Sequence, residues 1–183
     1  MMYTSNISVV IGKYKNKLID LKENPDAMLR TVALTVLPEL KKRVHVEGKD
    51  SNGNQIGTYS PGYMKLRTGN YGNSAKYVKG KKQGQNKNAG THEKGSNAGQ
   101  ARPKYNRTAD PKVVASLTRQ MENDESVMPT PTGYGIGFNN SDNYNKSQYV
   151  EATYKKPIWK LTEEERQLAK KTAQQFTNEN LKQ

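Results

Sequence analysis

The sequence predicts an α+β fold in which two long helices pack on a small antiparallel sheet, with a long basic loop inserted. Three observations predict it: an apolar repeat of about 3.6 residues from residue 25, a second such repeat after Thr162, and a glycine-rich strand pair between them. The 183 residues are enough for one domain with a modest core. We expect helices over 25–46 and 162–181, and strands over 126–131 and 134–138.

The first helix is predicted by its start and stop signals as well as by its periodicity. Asn24 is a suitable cap, and Pro25 suits the first helical position. Apolar residues then recur at helical spacing as far as Val44, and the helix is expected to end before Gly48. An apolar patch at residues 7–11 precedes it, and its shortness leaves a strand and the start of a helix both open.

Positive charge is concentrated in the middle of the chain. Residues 65–112 contain twelve basic and two acidic residues, a net charge of +10, whereas the whole chain carries +13. Over 68–111, aliphatic residues nearly vanish and Gly, Asn, Lys, Gln and Ser dominate. Because such a segment buries too little apolar surface to offset its ordering entropy, we expect a flexible arm. The predicted organisation is a single domain formed by 1–67 and 112–183, interrupted by this arm.

The basic arm has three possible roles. It could bind nucleic acid through its cations and stacking tyrosines, order against an acidic protein partner, or remain a solvated loop. No recognised nucleic-acid fold motif supports the first role. The candidate residues for contact with a partner or with nucleic acid are Lys76, Lys79, Lys81, Lys82, Lys87, Arg102, Lys104 and Arg107.

The C-terminal third combines a strand pair with a well-marked helix. In its second strand, Tyr134, Ile136 and Phe138 alternate with glycine, so one face is apolar. Thr162 and Glu165 have the spacing of a capping box, in which each side chain bonds the other residue's backbone N–H. Trp159 precedes this cap and is expected to anchor into the core or into a neighbouring subunit. The candidate subunit-interface residues are Ile136, Phe138, Ile158 and Trp159.

The sequence offers no catalytic or metal-binding pattern. It contains no Cys, and neither His45 nor His92 has an acidic neighbour at helical spacing. No nucleophile–base pair can be assembled from it, so we expect no enzymatic activity, no cofactor and no metal. Mean hydropathy is −1.01, and no apolar run approaches the ~20 residues of a membrane span. We also expect no signal peptide, because no basic leader or small-residue cleavage site is present.

Three stretches carry a resemblance to a known family. The first runs from Arg43 to Ser60, through an Asp/Gly turn, and leads into the segment from Tyr63 to Arg67. The second is 114–121, with its Leu-Thr pair. The third is the hairpin followed by Lys156-Pro157-Ile158-Trp159-Lys160-Leu161-Thr162 and the last helix. In this order they resemble the virion-morphogenesis and tail-completion proteins of tailed bacteriophages. The sequence departs from the family's pattern in two places. Arg119 stands where the family usually has Gly, and the 68–111 insertion is much longer than the link expected there.

The resemblance implies a structural protein of a tailed-phage virion, a ring-forming neck component acting in head–tail joining or tail completion. It implies a homo-oligomer that contacts neighbouring portal, neck or tail proteins. Contact with packaged DNA is a further expectation, and no membrane is involved. The protein would assemble in the host cytoplasm and reside at the head–tail junction. The alternative function is a basic nucleic-acid-binding module that uses the 65–112 loop, and an enzyme is the third.

Overall fold

The computed structural model describes residues 15–19, 21–69, 78–81, 83–84, 91–92, 94–102, 105 and 107–182. Residues 15–19 and 21–23 are helical. The labelled elements that follow are α1 (Asp26–Lys41), a π-helical turn (Lys42–Glu47), α2 (Pro61–Thr68), α3 (Gln120–Asp124), β1 (Glu125–Thr130), β2 (Gly133–Phe138), α4 (Ser141–Tyr154) and α5 (Glu163–Lys182). The fold is therefore α+β, as the sequence predicts.

The helices and the sheet form layers around α1. β1 and β2 pair antiparallel, with Val127 opposite Ile136 in the centre of the hairpin. α1 packs on this hairpin, mainly against β2, and α5 packs along α1. The prediction placed both long helices on the sheet, but the main packing partner of α5 is α1.

A small apolar core lies where α1, the segment after it and the segment before α5 meet. It consists of Leu40, Val44, Ile56, Val113 and Ile158, all at most 2 % exposed. Tyr154 and Trp159 are partly buried against it. The Tyr154 ring packs directly on the backbone at Gly57. An added Cβ at this glycine would lie 2.6 Å from the ring, so a larger residue would not fit. This core joins parts of the chain that lie on both sides of the basic arm.

Several predicted boundaries are confirmed within one or two residues. The capping box of α5 is formed, since Thr162 N donates to Glu165 Oε2 at 2.9 Å and Glu165 N donates to Thr162 Oγ1 at 3.1 Å. The left-handed Gly48 ends the π-helical turn, as expected from its position. At the start of α1 the prediction was one residue early. Pro25 occupies the N-cap position and Asp26 begins the helix.

Three of the labelled helices, α2, α3 and α4, were not predicted as such from the sequence. The polar composition of 139–148 predicts a connection, and 149–154 a helical turn, but α4 is one helix of 14 residues. Its start is fixed by Asn140, whose side chain accepts from Asp142 N at 2.7 Å. α2 begins with Ser60 as cap and a proline in its first turn, whereas only an apolar cluster was expected there. α3 is a single short stretch of five residues.

The predicted flexible arm falls partly outside the described residues. Within it, Thr91 and Ala101 form an isolated antiparallel bridge, and His92 N donates to Gln100 O at 2.9 Å. Residues 95–100 therefore form a small turn between these positions. The division into a single domain and an arm stays a prediction for the remaining residues.

Candidate interaction surfaces

Arg43 joins the end of α1 to the start of α5 through five hydrogen bonds. Its Nε lies 2.7 Å from Glu165 Oε1, and one Nη donates to Lys49 O at 3.1 Å and to Ile158 O at 2.9 Å. The other Nη donates to Lys160 O at 2.9 Å and to Glu165 Oε2 at 3.3 Å. All five guanidinium N–H groups are thus used. A buried arginine with this number of partners fixes the linker before α5 against the helix that precedes it.

His45 makes a second buried junction. Its Nδ1 lies 2.9 Å from Ala115 O and its Nε2 lies 3.2 Å from Glu125 Oε2, with both side chains at most 1 % exposed. The two contacts fix both ring nitrogens of His45 against buried oxygen atoms. No acidic residue lies at helical spacing from His45 in the sequence, and its partner Glu125 lies 80 residues away. No local signal could have found it.

Four of the predicted contact residues of the basic arm lie within the described residues. Lys79 and Lys81 are exposed. Arg102 Nε donates to Thr91 O at 3.0 Å, and Arg107 Nε donates to Leu117 O at 2.8 Å. Arg102 therefore bonds the arm's own backbone, whereas Arg107 ties the arm to the domain. The other four candidates, Lys76, Lys82, Lys87 and Lys104, lie outside the described residues.

The predicted interface residues occupy two different environments. Ile158 is fully buried in the core, whereas Ile136, Phe138 and Trp159 line a groove. This groove of about 360 Å³ lies between α1, β2 and α4, and we call it the hairpin groove. The Phe138 and Trp159 rings meet edge to face with centroids 6.0 Å apart. Trp159 therefore packs against the core of its own chain, and its role at a subunit interface stays a prediction.

A larger groove lies on the other side of α4. It has a volume of about 690 Å³ and separates α4 from the extended segment 113–118. We call it the tyrosine groove, because four tyrosines line it: Tyr59, Tyr63, Tyr149 and Tyr154. Its walls also contain Val113, Val114, Ala115, Leu117, Met121 and Val150. This surface could not be predicted from the sequence, since it requires α4 to be a continuous helix.

Burial raises the pKa of three of the four tyrosines in this groove. Burial raises the pKa of Tyr59 to about 12, although the Arg67 guanidinium opposes the shift. Burial also raises the pKa of Tyr63 and of Tyr154. The charged residues that line the groove are therefore two cations, Arg119 and Lys146.

A third cation lies behind the groove wall. Arg67 is 4 % exposed, its guanidinium carbon lies 4.8 Å from the Tyr59 ring centroid, and its Nη1 donates to Ser116 O at 2.8 Å. Its Nε is buried and has no hydrogen-bond partner in the part of the chain that the structure describes. None of the ion pairs among those residues includes Arg67. A buried cation without a carboxylate leaves a positive potential on this side of the groove.

Other kinds of site can be checked against the described residues. Among them, no three His, Cys, Asp or Glu side chains are grouped closely enough to hold a metal ion. None of the helices in the described ranges is both long and apolar enough to cross a membrane. The surfaces that stand out are thus the two grooves flanking α4.

No protein-family model matches this sequence, and searches of curated proteins and of solved structures likewise find no significant match.

Proposed function

We propose that this protein is a structural component of a tailed-phage virion, a ring-forming neck subunit acting in head–tail joining or tail completion. One observation carries the proposal: the three stretches that resemble virion-morphogenesis proteins converge on two buried junctions. Arg43, in the first stretch, bonds Glu165 and the Ile158 carbonyl in the third. His45 bonds the Ala115 carbonyl in the second stretch and Glu125 beside the hairpin. Each of the three stretches is weak evidence for the family when taken alone, but in the structure they contact one another within one folded unit.

The open hairpin supports the idea of a ring. β1 and β2 form a two-stranded sheet in the described structure, so each strand has an outer edge with no strand beside it. Such edges readily accept a strand from another subunit. The hairpin groove, lined by Ile136, Phe138 and Trp159, adds an apolar surface next to one of these edges. We propose that these features form contacts between copies of the chain.

The basic arm has a separate role in this proposal. The folded domain forms the ring, and the arm at 68–111 contacts a neighbouring subunit, an adjacent ring or the DNA in the channel. The concentration of charge supports this division, since residues 65–112 carry +10 of the net +13. Net charge of this kind increases association rates with acidic partners.

Deletion of the gene from the phage genome that encodes it tests the function directly. We expect DNA-filled heads and separate tails in electron micrographs of the lysate, with joined particles restored by the wild-type gene supplied in trans. Joined, infectious particles made in its absence would overturn the proposal.

A shortened variant tests the arm without disturbing the fold. Residues 70–104 are replaced by a ten-residue Gly/Ser linker, which spans up to ~33 Å when extended. Arg107 is kept because it bonds Leu117 O and Arg67 O. We expect a normal unfolding transition and a loss of joined particles. Normal joining by this variant would exclude a role for the arm.

The nucleic-acid alternative predicts a different pattern in solution. A module that binds duplex DNA through phosphates loses affinity with salt, with a slope of about −0.9 per contact in a plot of log K against log salt. Native mass spectrometry at two salt concentrations, with and without DNA, separates the two functions. A defined oligomer that ignores DNA at physiological salt favours the neck subunit.

A further inference from the structure

We propose that the tyrosine groove is a docking site for an extended, acidic segment of another protein, one that carries aliphatic or aromatic side chains between its carboxylates. This inference rests on the proposed function in taking that protein to be a neighbouring virion component. It names the chemistry of the partner and the surface that receives it.

The shape and lining of the groove suit a peptide chain. One wall is the extended segment 113–118 and the other is α4, so the cleft between them is elongated. Its volume of about 690 Å³ lies within the range of 300–1,000 Å³ that is typical of ligand sites. Tyr149 is 71 % exposed on its rim, although a large aromatic side chain gains most from burial. An apolar side chain placed between Tyr149 and Val114 would cover this exposed ring.

The charges of the groove select an acidic partner. Arg119 and Lys146 are exposed at its rim, and Arg67 lies buried behind Tyr59 and Ser116. Glu122 lies beside the same wall, where its Oε2 accepts from Ser116 Oγ at 3.2 Å. Lys146 also borders a neighbouring polar pocket that contains Asp124 and Asp142. In the lining of the tyrosine groove itself, the charged residues are the two cations Arg119 and Lys146. Complementary charge steers partners and suppresses wrong ones. A second copy of a chain with a net charge of +13 fits this surface less well than an acidic segment does.

The backbone at Arg119 supplies an independent observation. Arg119 has φ 62°, in the left-handed region, and it makes no side-chain cap bond to the helix that it precedes. Glycine adopts this conformation without the ~1–2 kcal/mol that other residues lose there. An arginine held at such a position, with its side chain exposed on the rim of a groove, indicates that the side chain is needed for binding. The strained backbone at Arg119 and the two cations of the lining thus point to the same kind of ligand.

Fluorescence anisotropy with three labelled ten-residue peptides tests the proposal. In the first, Glu and Asp alternate with Leu and Tyr. In the second, Lys replaces the acidic residues, and in the third, Ser replaces Leu and Tyr. We expect the first peptide to bind more tightly than the other two, because the groove requires both acidic and apolar side chains. Chemical-shift changes in ¹H–¹⁵N spectra should map to residues 113–121 and to α4.

Variants separate binding at the groove from general attraction to a basic protein. Lys146→Gln should weaken binding of the first peptide by about threefold, as expected for an exposed ion pair. Tyr149→Ala should weaken it by at least about fivefold. Lys170→Gln is the matched control, since Lys170 is exposed on α5 and lies outside the groove. It should leave the affinity unchanged.

Three substitutions of Arg119 separate the contribution of its side chain to binding from the effect of its backbone strain on stability. Arg119→Gly should weaken binding by about threefold while raising Tm by about 2–4 °C, because the strain is relieved. Arg119→Ala should weaken binding equally without raising Tm, and Arg119→Lys should retain most of the affinity. Equal binding by wild type and Arg119→Gly would overturn the role of the side chain.

Two outcomes would overturn the docking site itself. One is an equal loss of affinity in Lys146→Gln and Lys170→Gln, which would indicate diffuse attraction. The other is an oligomer of the peptide-free protein that Tyr149→Ala dissociates in sedimentation, which would make a second copy the occupant. Peptide binding is measured on the isolated protein, and gene deletion is scored on particles. Failure of this inference is therefore distinguishable from failure of the proposed function.

Discussion

The Arg43 guanidinium and the Glu165 carboxylate meet as a two-pronged pair, with Nε–Oε1 at 2.7 Å and Nη2–Oε2 at 3.3 Å, although 122 residues separate them in the chain. The two side chains are 8 % and 6 % exposed. Glu165 Oε2 also accepts from Thr162 N at 2.9 Å, so one carboxylate caps α5 and pairs with Arg43. The capping box and the ion pair are therefore a single network, in which each part orients the other.

Arg43→Met should lower the free energy of unfolding by about 3–5 kcal/mol, because it leaves the Glu165 carboxylate buried and unpaired. Urea unfolding followed by circular dichroism measures this. Arg166→Met is the matched control, since Arg166 pairs with Glu163 at 3.7 Å and both side chains are more than half exposed. We expect that control to change stability by less than about 1 kcal/mol. Equal midpoints for the two variants would contradict a structural role for Arg43.

Glycine at position 48 should be far harder to replace than glycine at position 53. Both have positive φ, 64° and 78°, so Ala carries about 1–2 kcal/mol of backbone strain at each. An added Cβ at Gly48 would collide with the Val113 carbonyl oxygen, whereas at Gly53 nothing lies within 4 Å. Thermal unfolding should show a clearly larger loss for Gly48→Ala than for Gly53→Ala. Similar losses at both positions would mean that backbone strain alone matters and that the contact with 113 does not.

His45 and Glu125 should show coupled energies in a double-mutant cycle. His45→Phe leaves the Glu125 carboxylate buried without its partner, and Glu125→Leu leaves one ring nitrogen unbonded. The double variant should therefore be more stable than the sum of the single losses predicts, by about 0.5–3 kcal/mol. Denaturant unfolding of the four proteins gives this coupling energy. Simple additivity would show that the pair contributes no mutual stabilisation.

Tyr59 should make stability fall at alkaline pH. Because burial raises its pKa in the folded protein to about 12, above the ~10 of an unfolded chain, the folded state keeps the phenol proton longer. Its contribution is fully present below pH ~10 and is lost as pH rises toward 12. Urea midpoints measured between pH 9 and 11.5 should fall with a steeper slope in wild type than in Tyr59→Phe.

The stability difference between wild type and Tyr59→Phe at neutral pH is the reference for the alkaline measurements. There, Tyr59→Phe should already be about 1–3 kcal/mol less stable, because Val114 N loses the hydroxyl oxygen that it donates to at 3.1 Å. Absorbance at 295 nm follows tyrosinate formation directly. The late part of the wild-type titration should be smaller by one tyrosine in Tyr59→Phe, in which Tyr63 and Tyr154 still have raised pKa values. Parallel pH profiles for the two proteins would contradict the raised pKa.

Local signals in the sequence were sufficient for the elements with strong periodicity or caps. The apolar repeat before Val44 predicted α1, the Thr162–Glu165 spacing predicted the start of α5, and alternation with glycine predicted β2. In each case the residues that carry the signal are neighbours along the chain, so their interaction does not depend on the rest of the fold.

Elements without an apolar stripe were not predictable in the same way. α4 is polar along most of its length, and a loop is the natural prediction for such a stretch, although Asn140 supplies a cap. The tyrosine groove was missed with it. The pairing of His45 with Glu125 depends on two residues 80 positions apart, which no spacing rule connects. Long-range contacts of this kind are decided by how the whole core packs.

The distance along the chain between Arg43 and Glu165 has a consequence for synthesis. Translation adds about 5–20 residues per second. Glu165 is therefore synthesised at least several seconds after Arg43, because 122 residues separate them. During this interval α1 has neither its main ion-pair partner nor Ile158 for its core. A nascent chain that stops short of α5 therefore cannot reach the native state.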